Sequence, residues 1–171
     1  DHEPEQRARV RDPALARQEH AVNPSEKRAL EDIETHGCHV LHVLEENDLP
    51  RFSYSLGIQR QARAPEIVVV GLKRPLAHWV VNEYNRRVRA GESFLPGVLY
   101  SGFLEGFDVR FEAVERQHYR EYFGWARWLY DGDKFDVVQL IYPSTSGVWP
   151  WDGDGEFKAF QPLLCRDPRA S

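Results

Sequence analysis

Residues 38–58 read CHVLHVLEENDLPRFSYSLGI. The first seven are apolar and β-branched apart from His39 and His42, which predicts a largely buried strand. Glu45-Glu46-Asn47-Asp48 is a polar turn closed by Pro50. Phe52, Tyr54 and Leu56 then alternate with Ser53, Ser55 and Gly57, the period of a half-buried strand. Two adjacent strands with a short polar link predict a hairpin, and hairpins rather than βαβ units set the fold class.

Working outward, a helix is expected from Ser25, with Ala29, Leu30 and Ile33 at helical spacing and Gly37 at its C-terminal cap. Residues 59–65 read as a polar loop. Ile67–Val70 is a third strand ending at Gly71. Pro75 suits a helix start, and Leu76, Trp79, Val80, Tyr84 and Val88 form one stripe that ends by Gly91. Val98–Leu104 and Phe107–Val114 predict a second hairpin about Glu105-Gly106. His118–Tyr130 has helical spacing, weakened by Gly124. Val137–Tyr142 is a central strand, and Phe160–Leu164 adds an edge strand or packs down. With hairpins dominant and helices too few to cover both sheet faces, the expectation is α+β. The sheet is expected to be mostly antiparallel, of about six strands, able to curl toward a barrel, with two or three packed helices.

The chain divides into a polar, proline-punctuated arm at 1–24, with a short helix expected at 13–20, and a single domain at 25–171. An arm of this kind often orders against a second subunit, so a homodimer is expected. A net charge of −5 over 171 residues argues against a general nucleic-acid binder. Arg86, Arg87 and Arg89 cluster, but at a helix C-terminus they complement the dipole. No apolar run approaches the roughly 20 residues that span a bilayer. No leader pattern opens the chain, so a cytoplasmic protein is expected, although the sequence lacks an initiator methionine. Cys38 and Cys165 do not form a disulfide framework and read as small buried hydrophobes. Sequence neighbours His36 and His39 seldom make a working pair with Cys38 on a strand.

Two groups stand out as site candidates. Tyr54, Ser55, His78, Tyr142, Trp149 and Trp151 are expected to line one pocket, with Trp149-Pro150-Trp151 folding over the end of the central strand. The competing reading makes the aromatics core and His78 a surface residue. Arg60, Arg63, Lys73 and Arg74 flank the third strand and are anion-binding candidates, or else loop solubilisers. His36, His39 and His42 do not converge if residues 38–44 are a strand, so no metal is expected; metal-assisted chemistry through these histidines with distant Asp or Glu is a third reading. Asp152, Asp154 and Glu156 lack the helix-loop-helix frame of a calcium loop and read as an acidic turn. No catalytic motif is assembled.

The segments Gly37–Val43, Phe52–Gly57 and Pro65–Leu72 resemble the bacterial domain-of-unknown-function family numbered 4262. So do Ala77-His78, Val138–Pro143, Trp149–Asp152 and Gln161–Leu164. That resemblance implies no activity and no catalytic residues. Phe52–Ser55, Pro65 and Ile67–Val70 are also similar, more distantly, to the flavin-binding split barrel. Gln59-Arg60-Gln61 stands where that family places phosphate-binding serines or threonines. The expected role is therefore a non-catalytic binding or interaction protein, of immunity type in one version, with an unknown protein or small-molecule partner and no cofactor. The alternative is a flavin-dependent oxidoreductase using FMN.

Overall fold

The computed structural model describes residues 23–153 and 155–169. The predicted helix at 13–20 and nearly all of the 1–24 arm lie outside the described residues. Helix α1 (Pro24–His36) starts one residue earlier than expected. Asn23 is its N-cap, its side chain accepting from the Glu26 amide at 2.8 Å while Glu26 accepts from the Asn23 amide. Gly37 ends it in the left-handed conformation, as predicted.

Strands β1 (His39–Val43) and β2 (Phe52–Leu56) form the predicted antiparallel hairpin. Helix α2 (Ile58–Ala62) occupies what sequence suggested was a loop. Then follow β3 (Glu66–Val70) and the long helix α3 (Arg74–Arg89), with Pro75 in its first turn. Strands β4 (Tyr100–Leu104) and β5 (Phe107–Ala113) make the second hairpin. A 3₁₀ turn (Arg116–His118) leads into α4 (Tyr119–Tyr122) and α5 (Gly124–Tyr130). The expected single helix is split because Phe123 takes φ −120°, ψ 47°, outside the helical region, immediately before the weak former Gly124. Strand β6 (Val137–Ile141) and helix α6 (Gly155–Phe160) complete the order.

The six strands lie in the order β1-β2-β3-β6-β5-β4. The α+β class holds, with two corrections. First, β3 pairs with β6 in parallel, so the sheet is mixed. Second, β1 and β4 remain as edges, so it does not close into a barrel. Helices also cover both faces, α1, α4 and α5 on one and α3 on the other. Alternation along each strand builds two cores. Leu41, Tyr54, Val68 and Val137 pack with Ala29 and Ile33 of α1 and with Phe123 and Leu129. Ile67, Val69, Phe111 and Leu140 pack under Ala77, Val80, Tyr84 and Val88 of α3. The 160–164 segment is no edge strand. It is clipped to β6 by two buried glutamines: Gln139 donates to Pro162 O and accepts from Leu164 N, and Gln161 does the same with Tyr142.

Candidate functional site

The most densely bonded polar group is Glu66, at the start of β3 and fully buried. Its carboxyl accepts from Ser55 Oγ at 2.6 Å and from the amides of Gly57 (3.0 Å), Ile58 (3.1 Å) and Gln59 (3.2 Å). The Tyr130 hydroxyl donates to it as well. Ser55 Oγ also accepts from Ile67 N at 3.0 Å. These amides open α2, a five-residue helix that could not nucleate alone. Glu66 therefore caps α2 from seven to nine residues downstream. Burial pushes its carboxyl upward, and the donors from Ser55, Tyr130 and the backbone oppose that push. Each of its oxygens is committed to structure, which leaves no lone pair directed at a substrate. Burial likewise raises Tyr130 and Tyr54, and it pushes the thiols of Cys38 and Cys165 up to about 12, where neither is a nucleophile at neutral pH.

A second constellation joins β1, β2 and α3. Ser53 Oγ lies 2.7 Å from Nδ1 of His42, and Nε2 of His42 lies 3.2 Å from Nδ1 of His78. Ser53 and His42 are buried, while His78 is exposed on α3. His39 points to the opposite face, as strand alternation requires, and meets Asp32 of α1 at 2.8 Å. Partial burial, then Arg74 and His39, holds His78 below its ordinary range. Since the folded state disfavours its protonation, its contribution to stability is present above the unfolded value near 6.5 and is lost as pH falls through the lower folded value. Wild type is expected to gain stability over His78→Gln as pH rises toward 7. Urea titrations of both proteins between pH 5 and 7.5 check the slope.

The six pocket candidates are distributed rather than gathered. Tyr54 is 2% exposed and sits in the α1 core beside Phe52 and Phe123, its hydroxyl accepting from Trp125 N at 3.3 Å. Ser55 belongs to the Glu66 network. Tyr142 packs in the α3 core and donates to Val70 O at 2.6 Å. Trp149 and Trp151 stack on each other with centroids 5.2 Å apart and planes 4° from parallel. They form a separate cluster with Ile141, Leu163 and Cys165, and the Arg110 guanidinium lies 4.9 Å from the Trp151 ring. Ile141 alternates with Leu140, so this cluster lies on the face opposite α3 and His78. The physical reason for the distribution is strand parity. The tryptophan segment is close to β6 in sequence but folds onto the face that His78 does not share.

The anion candidates are also separated. Arg60 and Arg63 precede β3, whereas Lys73 and Arg74 follow it, at opposite ends of a strand roughly 16 Å long. Arg86, Arg87 and Arg89 have local partners: Glu83, Glu92 with Ser101 O, and His36 O.

Sequence reading missed a cleft of about 340 Å³ beside the C-terminal half of α3. Ala62, Ala64, Val88, Phe94 and Val138 supply apolar walls, with Arg63 and Glu92 among the polar lining. Next to it in the chain, Leu95-Pro96-Gly97-Val98 forms a turn closed by Val98 N to Leu95 O at 3.4 Å, with Gly97 at φ 78°. Proline followed by a positive-φ glycine is the type II pattern, and it was visible in the sequence. Leu95 N donates to Tyr100 Oη (2.7 Å) and Gly97 N to Glu112 (3.0 Å), so the turn is held. Yet Leu95, Val98 and Leu99 are 61%, 42% and 53% exposed.

Among the described residues no helix is long and apolar enough to cross a membrane. No curated protein and no solved structure matches the chain. A family model described as Domain of unknown function (DUF4262) matches residues 32–156, which include β1 through β6, the His42–His78 pair, the Glu66 network and the stacked tryptophans. The resemblance carried by Gly37–Val43 and Phe52–Gly57 is thereby established, and the chain belongs to the DUF4262 family.

Proposed function

We propose that this domain is a non-catalytic binding module that recognises a protein segment through the turn at residues 95–99 and the adjoining cleft. The observation that carries the reading is the combination of rigidity and exposure in that turn. Three large apolar side chains are exposed on a backbone pinned by Tyr100 and Glu112. A pinned turn gives little conformational entropy away on association, and desolvating such side chains is the ordinary source of affinity at an interface core. Glu66, Tyr54, Tyr130, Cys38 and Cys165 are meanwhile buried or committed to structural bonds.

A basic partner with an apolar anchor fits best. The chain carries net charge −5, and the β4–β5 hairpin on the same edge exposes Glu105 and Asp108. An immunity-type protein covering a basic effector is one form of this reading. The flavin alternative loses its fold-level support, because the sheet is open and the two indoles stack on each other.

Peptide display against the wild-type domain tests the proposal. Peptides with an aromatic or branched apolar residue beside lysine or arginine are expected, and their affinity should fall at least tenfold on Leu95→Ser/Leu99→Ser. Selected peptides that bind this variant equally well would refute the surface. Tight uptake of FMN without any peptide selection would refute the module.

A further inference from the structure

The His42–His78 pair is used by neither the fold's main cores nor the proposed surface. We propose that Nε2 of His42 and Nδ1 of His78 form a two-imidazole half-site for a borderline divalent cation of the zinc or copper type. Two independent features of geometry support it. The first is spacing. Zinc–imidazole bonds of about 2.0–2.1 Å in tetrahedral array separate ligand nitrogens by roughly 3.3–3.4 Å. The two nitrogens here stand 3.2 Å apart, on rings whose planes are 30° from parallel. His78 is exposed on α3, so a small turn of its ring aims both lone pairs at one point.

The second feature is an outer-shell contact. Ser53 Oγ engages Nδ1 of His42 at 2.7 Å. Metal-bound histidines usually have their second nitrogen held in this way, which fixes the tautomer and orients the ring. Here the oriented histidine is the buried one, while the exposed histidine opens the site to solvent.

Imidazole-only ligation selects zinc, copper or nickel over magnesium and calcium, which require oxygen. Among the described residues no three of His, Cys, Asp or Glu converge on a metal position. A half-site of two imidazoles leaves coordination positions for water or for a group on a bound molecule, as in an open site. Arg74 and His39 are the charged or titratable groups acting on His78, and Arg74 weakens cation binding there. Both rings bind as neutral imidazoles, His42 keeping its N–H on Nδ1 toward Ser53 and His78 on Nε2, so the proton between the rings moves by tautomer exchange and no net proton leaves near neutral pH.

The test uses the full chain without a histidine tag. Zinc and copper are titrated by calorimetry in buffers of different ionisation enthalpy, and cobalt is followed by its visible absorption. One equivalent is expected, without net proton release near neutral pH and with a rise in Tm. His78→Ala should lower affinity at least tenfold while leaving the metal-free Tm within a few degrees, and His39→Ala should bind as wild type does. Absence of binding to wild type overturns the proposal, as does unchanged affinity in His78→Ala or an equal loss in His39→Ala.

Discussion

Glu66→Ala should be the most damaging single substitution in the domain, lowering unfolding free energy by about 4 kcal/mol or more. The change strands five donors at once: the hydroxyls of Ser55 and Tyr130 and the amides of Gly57, Ile58 and Gln59. A buried donor left unmade costs roughly 1–3 kcal/mol, and water entering the vacated space recovers only part of the total. Against a net stability of about 5–15 kcal/mol, this is a large share. Glu66→Gln preserves shape and one acceptor oxygen but turns an amide NH₂ toward donors, so an intermediate loss of about 2–3 kcal/mol is expected. Urea unfolding followed by circular dichroism measures both. Because α2 depends on this cap, amide exchange at residues 58–62 should accelerate in Glu66→Gln before global stability is lost. Equal stability of Glu66→Ala and wild type would show that the carboxyl is not the anchor described.

Gly71→Ala is expected to cost about 3 kcal/mol and to loosen the C-terminal segment selectively. Gly71 has φ 91°, which costs an L-residue roughly 1–2 kcal/mol. A Cβ there would also stand 2.7 Å from Tyr142 Oη and 2.8 Å from the backbone oxygen of Phe160. The first contact disturbs the hydrogen bond from Tyr142 to Val70 O, and the second cannot be relieved by a rotamer change because it is main chain. Limited proteolysis between residues 143 and 160 should become faster in the variant. A variant as protease-resistant as wild type would rule out this close approach.

Both hairpins, α3 and the Gly37 cap were legible because each rests on local chemistry. Alternation at Phe52, Tyr54 and Leu56, the Glu105-Gly106 link, and Pro75 at a helix start all act within a few residues. Helix α2 was not legible, because its cap comes from Glu66 and not from any residue within its own first turn. The parallel β3–β6 pairing joins segments some seventy residues apart, and no local pattern encodes it. His78 was singled out from its position on the helix. Its partner His42 is not legible, because the two rings meet across layers from positions 36 residues apart. The tryptophan pair is expected at a rim with Tyr54 and His78, whereas strand parity puts it on the face opposite His78.

The position of β6 has a temporal consequence. It lies between β3 and β5, and both neighbours precede it in the chain. Until residue 141 has left the ribosome, the nascent polypeptide holds one three-stranded unit and one two-stranded hairpin with no strand pairing between them. Each exposes the edge that β6 will later fill. Release of the last strand should therefore complete the sheet in one late, cooperative step, and chains cut before residue 137 should be prone to pair with one another instead.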